Sequence, residues 1–486
     1  MRLVVPLQGV FRGRGGILLG SLIPCALFYF LQLYLKRQHS DESSRVPPSP
    51  PPFGVEVSSL ANSLAKSDES PYDIGLDRVA RDSYDRINNP NGMIDLSSSE
   101  SKLCLDLIAK WVSENMKKSI VGDDDFTLSV NGIATFQPFD GLQELKMAIS
   151  SFMSEVMGGM VKLDPSNMVL TSGATPATEI LSFCLANQGD AFLVPTPYYP
   201  GFDKDVKWRA KVNLIPVHCQ SKDNFALSIT NLEKAFSQAE KDQVKVRGIV
   251  FSNPANPVGN LLTRDMLKRL VHFAEKKNIH IIADEVLARS VYESDKFVSI
   301  AEVLDSEGLN KNQVHIIYGL SKDLSLAGFR VGVIYSSNNT VVAAARKLSR
   351  FSPLSAPTQR LLISMLSDRK FIQEYFESNQ KRMRQVRHEL ETGLSSLGIK
   401  CAKINAGFYC WADMRGLLRR THSEEPELEL WNKFIDVSKI NIIPGSACHC
   451  HEPGWFGICF SALTSENIPV IIERIKKVVE TCKSSF

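Results

Sequence analysis

Seven short apolar runs, separated by stretches of helical period, fill residues 168–335 and constrain the fold more than any other feature. They are MVLT (168–171), AFLV (191–194), NLIPV (213–217), GIVF (248–251), IHIIA (279–283), VHIIY (314–318) and VGVIY (331–335). Each has the length of a strand rather than a helix, and β-branched residues dominate. Between them, TPATEILSFCLANQG (175–189) and TRDMLKRLVHFAEKKN (263–278) repeat apolar residues at helical spacing. Gly189 reads as the stop of the first helix, and Thr263 ahead of Met266 as the start of the second. Strands apolar on both faces need cover on both faces. The pattern therefore predicts an α/β chain with a mostly parallel, seven-stranded sheet between helices. After a helical stretch at about 357–396, KINAGFYCWADM, KINIIPG and GICFSAL read as strands of a smaller α+β unit closed by a helix at 465–482.

The 486 residues carry a net charge of only +3, and residues 1–45 hold six Lys/Arg against Asp41 and Glu42. The rest is near neutral, which argues against a nucleic-acid partner, since phosphate-backbone binding needs a concentrated basic face. The ten cysteines include no CxxC pair, which suits a reduced compartment.

Residues 17–35, ILLGSLIPCALFYFLQLYL, run nineteen positions without a charge. As a helix this length spans about 28 Å, close to the hydrocarbon thickness of a bilayer. Arg12 and Arg14 flank one end and Lys36 and Arg37 the other. The KRQHSDESSR that follows offers no small-residue cleavage site, so the segment reads as a retained transmembrane anchor. Five prolines within 47–52 then make an extended spacer. The expected organisation is a basic segment (1–16), an anchor (17–35), a Pro/Ser-rich linker (36–70), an N-terminal arm with part of a small domain (71–130), a large domain (131–356) and a small C-terminal domain (357–486). A single-pass membrane protein with a cytosolic body is the expected setting.

Polar residues punctuate the strand ends, where open α/β sheets bind ligands. Asp284 follows IHIIA, Lys322 follows VHIIYGLS, Arg330 lies in GFRVG, Asn253 and Asn256 sit in FSNPANPVG, and Tyr199 in TPYYPGF. TSGATPA (171–177) is a strand–glycine–helix start whose free N–H groups suit an anion. A lysine, a carboxylate, an arginine and a helix N-terminus together fit pyridoxal 5'-phosphate. That cofactor needs a lysine to carry it, an acid beside its pyridine nitrogen and a cradle for its phosphate.

The segments SPYDIGLDRV, NPNGMIDL, PTPYYPGFDKDVKWR, FSNPANPVGN, LSKDLSLAGFRVG and EPGWF make the resemblance specific. From about Pro71 to Lys483 the chain resembles the fold-type I aminotransferases, and most closely the plant 1-aminocyclopropane-1-carboxylate (ACC) synthase family. Its anchor and Pro-rich spacer resemble the membrane-anchored subgroup described as aminotransferases. The resemblance implies Lys322 as the cofactor-bearing lysine and Asp284 as the partner of the pyridine nitrogen. It also implies Asn256 on the ring oxygen, Tyr199 stacked on the ring, and Ala174, Thr175 and Arg330 on the phosphate. Glu100, in SSSESKL, takes the place of a substrate-pocket glutamate, and Tyr72 that of an N-terminal tyrosine. A homodimer with a shared site, acting on amino-acid and oxo-acid substrates, follows from the same resemblance. The leading expectation is an anchored aminotransferase. The alternatives are ACC synthesis from S-adenosylmethionine, or cofactor binding with little turnover.

Four positions depart from the family pattern. Leu287 stands where a tyrosine bonds the ring oxygen, Gly319 where a serine binds phosphate, and Phe139 where a tyrosine reaches the neighbouring subunit's phosphate. Each change removes about 1–2 kcal/mol of hydrogen bonding. Gly457, in EPGWFGICF, replaces an arginine that forks onto the substrate's α-carboxylate, a contact whose loss costs about 2–5 kcal/mol. SSSESKL also differs from the GLAENQL of ACC synthases, which points away from cyclopropane formation. CHCHEPGW (448–455) alternates thiols and imidazoles, but neighbours on a strand face opposite ways, so no metal is expected there. Arg289 reads as a surface residue.

Overall fold

The computed structural model describes residues 56–66, 70–121, 130–293, 296–418 and 425–483. The chain divides into two compact units, Met1–Ser67 and Asp68–Phe486. In the first unit, a helix at Ser59–Leu64 begins where the Ser58 side chain accepts the Ala61 N–H. The expected anchor (17–35) and its proline spacer lie outside the described residues. Among the described residues no helix is long and apolar enough to cross a membrane.

The second unit opens with a helix at Pro71–Arg81, continues into a two-residue strand, β1 (Ile94–Asp95), and then forms all seven expected strands. These are β2 (Met168–Thr171), β3 (Ala191–Thr196), β4 (Asn213–His218), β5 (Val246–Ser252), β6 (His280–Asp284), β7 (Val314–Gly319) and β8 (Gly332–Ser336). Their order is β2-β8-β7-β6-β5-β3-β4. Only β8 runs antiparallel to its neighbours; the other pairings are parallel. Every residue of β2 and β7 is buried, as strands covered on both faces require. β4, at one edge, is mostly open to solvent.

Two helical expectations change in detail. The first helix runs Ala174–Leu185, short of Gly189. An Asn187–Asp190 turn diverts the chain, with the Asp190 carboxylate accepting the Asn187 N–H at 2.9 Å. Gly189 lies inside that turn at φ +88°. The stretch expected at 357–396 is two helices, Ala356–Ser367 and Arg369–Ser396. The break is at Asp368, whose carboxylate accepts from Phe371 N (3.0 Å) and from Trp111 Nε1 (2.9 Å). By contrast, the helix Arg264–Lys277 starts as expected, with Thr263 Oγ1 accepting the Met266 N–H, and stops at Asn278 in the left-handed region.

The C-terminal part of the second unit adds β9 (Lys400–Cys401), β10 (Tyr409–Asp413), β11 (Ile440–Asn441), β12 (Ile443–Pro444) and β13 (Trp455–Cys459). An antiparallel sheet runs β12-β13-β10-β9, while β11 pairs in parallel with β1. Residues near the start of the second unit thus build a sheet with residues near its end.

Candidate active site

Strands β5, β6 and β7 run in parallel, so their C-terminal residues come out on one edge. Ser252 of β5 stands opposite Asp284 of β6, and Lys322 follows β7 by three positions. Ala174, Thr175, Tyr199, Asn256, Asp284, Lys322 and Arg330 line one cleft of about 160 Å³. Seven of the nine expected site residues therefore converge.

Asp284 is buried, and its carboxylate accepts from Ser252 Oγ (3.0 Å) and Val286 N (3.3 Å). Burial pushes its pKa up to about 6 against those two bonds and the pull of Lys322. Lys322 is half-buried and donates to the main-chain carbonyl of Ser99. Burial holds its amine below the ordinary lysine range, against the pull of Cys459, Asp284 and Glu100. Burial also raises the Tyr199 phenol, with Tyr72, Asp205 and Asp284 adding to it.

The phosphate end is built by backbone. Gly173, at φ +108°, turns β2 into the helix beginning at Ala174, whose first amides have no intrahelical acceptor. A Cβ at Gly173 would run into the Arg330 guanidinium, so only glycine leaves that cation its place over the turn.

Two expected residues stand apart from the cleft lining. The Glu100 carboxylate pairs with Lys102 at 3.7 Å, and its carbonyl accepts from Ser461 Oγ at 2.8 Å. Tyr72 sits on the helix Pro71–Arg81, its phenol raised by burial and by Asp95, and it bears on the cleft through Tyr199.

The departures acquire physical reasons. A Cβ at Gly319 would lie 2.9 Å from the Val331 carbonyl, so the close approach of β7 and β8 excludes a serine as packed here. Leu287 is buried, and it is Val286 that lines the cleft. Phe139 faces the Arg350 guanidinium at 5.3 Å. Gly457 pairs with Trp411 and Ile443 on either side, and a Cβ there would meet Tyr409, Trp411 and Ile443 at 3.4–3.6 Å, ordinary contact. Strand alternation puts it on the same face as Cys459, which interacts with Lys322. Arg289 stacks on Phe376 at 4.5 Å and lines a different cavity with Lys296. In the CHCH segment the side chains disperse: His449 Nε2 meets Asp203 at 2.6 Å, while the His451 ring packs on His218 at 4.8 Å.

Three polar cleft residues and one behind them escaped the sequence reading. Ser252 anchors Asp284, while Ser321, Thr178 and Asp205 line the cleft. Asp205 is pushed up to about 7, first by burial and then by Asp284 and Glu179. Within FDKDVK it looks like one more charge on a solvated helix. Ser321, beside Lys322, was the one legible from position.

Residues 91–475 match the family described as aminotransferase class I and II. The chain belongs to that family of pyridoxal-phosphate enzymes. It is 53% identical to a probable aminotransferase, ACS12, of Arabidopsis thaliana over the whole of both chains. It is 50% identical to 1-aminocyclopropane-1-carboxylate synthase 6 of Oryza sativa subsp. japonica, covering 99% of this chain and 94% of that protein. Among solved structures, aspartate aminotransferase from Thermus thermophilus with maleate superimposes with a TM-score of 0.69 at 16% identity, over 87% of this chain and all of that one.

The residues present fit the family's cofactor. The Asn256 side chain is buried and has no hydrogen-bond partner among the described residues, leaving its amide for a ring oxygen. Ala174, Thr175 and Arg330 offer donors to a phosphate, Asp284 an acid to a pyridine nitrogen, and Lys322 an amine within the same cleft.

Proposed function

We propose that the chain is a membrane-anchored, pyridoxal-phosphate-dependent aminotransferase acting on amino acids, held by residues 17–35 with its body in the cytosol. The observation that carries the catalytic reading is the convergence of Lys322, Asp284 and the Arg330–Gly173 cradle in one cleft. When bound, the cofactor supplies an electron sink for the charge left as the substrate's α-carbon loses its proton. Lys322, its amine kept neutral more readily by burial, takes that proton and returns it elsewhere. Asp284, oriented by Ser252 and Val286, holds a proton at the pyridine nitrogen. Arg330 and the helix start keep the phosphate fixed, so the α-carbon stays within reach of Lys322.

A homodimer is part of the proposal. Phe136 and Phe351 are 97% and 75% exposed, large apolar surfaces of the kind a partner subunit covers. ACC synthesis is the second reading, favoured by the 50% identity to the rice ACC synthase. Against it, Glu100 pairs with Lys102 and does not line the cleft. Products of a single half-reaction separate the readings. An oxo acid from an amino donor supports transamination, ACC from S-adenosylmethionine overturns it, and neither product from a cofactor-loaded chain leaves binding without turnover.

A further inference from the structure

Cys401, Cys410 and Glu391 each bring one ligand atom to within 4.8 Å of the other two. None of them lines the cleft. We propose that they form a binding site for a divalent, thiophilic metal ion of the zinc class, with a water as fourth ligand.

The strand register explains why two cysteines nine positions apart can do this. β9 and β10 are antiparallel, with Ala412 opposite Cys401. Cys410 lies two residues from Ala412, so it shares that face and sits diagonal to Cys401. Diagonal Cα atoms are about 7–8 Å apart, too far for a direct S–S bond without backbone movement. An ion bonded to each thiolate at about 2.3 Å spans that gap, since tetrahedral geometry sets the sulfurs about 3.8 Å apart. Glu391 comes from the helix Arg369–Ser396, which packs on β9.

Charge and surroundings agree. Two thiolates and a carboxylate make three negative charges, which a divalent ion and one arginine neutralise. That arginine is present: Arg387, one helical turn before Glu391, donates to its carboxylate at 2.6 Å and lies over the Tyr292 ring at 4.7 Å. Such a partner orients a ligating carboxylate. Cys410 is fully buried, whereas the Glu391 side chain is 30% exposed, giving the ion a way in and room for water. Thiolates select zinc-class ions over magnesium or calcium. Local pattern does not reveal the site, because its third ligand lies across a change from helix to strand.

The test uses the full chain with its cofactor, freshly reduced and freed of metal, titrated with Cd²⁺ and then with competing Zn²⁺. Thiolate-to-cadmium absorption in the ultraviolet reports binding. One ion per chain is expected, displaced by Zn²⁺. The band should vanish in Cys401→Ser, bind at least about tenfold more weakly in Glu391→Gln and in Arg387→Leu, and stay unchanged in Cys184→Ser. Cofactor content should be the same in all of them, which separates lost ligation from lost folding. Because Cys410 is buried and its replacement disturbs packing, the half-buried Cys401 and Glu391 carry the decision. No saturable band, or a band indifferent to Cys401→Ser, overturns the site.

Discussion

Lys322 Nζ donates to the backbone carbonyl of Ser99, a residue 223 positions earlier in the chain. The amine expected to carry the cofactor is thus capped by the segment that follows β1. In Lys322→Ala that contact and the covalent attachment are both lost. Borohydride reduction should fix the cofactor on Lys322 of the parent, seen as a mass shift on its peptide, and on no lysine of the variant. Turnover should fall about 10²–10⁴-fold, the range for a positioned proton-transfer group. An adduct on another lysine would sink the assignment.

Asp205, Glu285 and Asp323 are each pushed up to about 7, and Asp284 to about 6, chiefly by burial. A carboxyl with a raised folded pKa keeps its proton in the native state after the unfolded chain has lost it, so stability declines as pH rises toward the folded value. His218, His280 and His315 are shifted down and act oppositely, but only below about pH 6.5, where the unfolded imidazoles begin to charge. Between pH 6.5 and 8 the carboxyls decide. The cofactor-free body should lose on the order of 2 kcal/mol across that interval. Denaturant melts at the two pH values check this, and equal or rising stability refutes it.

Gly457 leaves the sheet face shared with Cys459 without a side chain. Gly457→Arg should raise kcat/KM for simple α-amino donors about 10²-fold, the scale of one bidentate carboxylate contact. The gain should be much smaller for the corresponding amines, which have no carboxylate. Clash with Tyr409, Trp411 or Ile443 lowers both donors alike, so the acid-to-amine ratio within the variant is the measurement. An unchanged ratio means that another residue holds the carboxylate.

Residues 17–35 should keep the full chain in the membrane fraction through alkaline extraction, while a chain starting near Ser40 should stay in the supernatant. Identical fractionation of the two would rule out a retained anchor.

The sheet was legible because its strands are apolar on both faces, and local pattern reports that directly. Asp284 and Lys322 were legible because they close such runs. What escaped depends on distant partners. The break at Asp368 is fixed by Trp111, 257 positions away, inside an otherwise continuous helical pattern. Asp205 and Ser252 look like ordinary polar residues until the fold turns them toward Asp284. Glu100 was found by resemblance of sequence alone, and its actual neighbour, Lys102, is two residues off.

The parallel pairing of β1 with β11 also sets an order of assembly. Asp95 is bound by Asn441, 346 residues later, at 3.1 Å. At ribosomal speeds of about 5–20 residues per second, the first strand waits roughly 20–70 s for its mate. Lys322 emerges well before that mate does. The loop that caps it is held by Tyr409 of β10 on the Ser97 carbonyl, and is fully anchored when β11 and the residues after β13 arrive, through Asn441 on Asp95 and Ser461 on Glu100. The cleft is therefore finished by residues made well after Lys322, and a nascent chain interrupted before them displays a lysine without its lid.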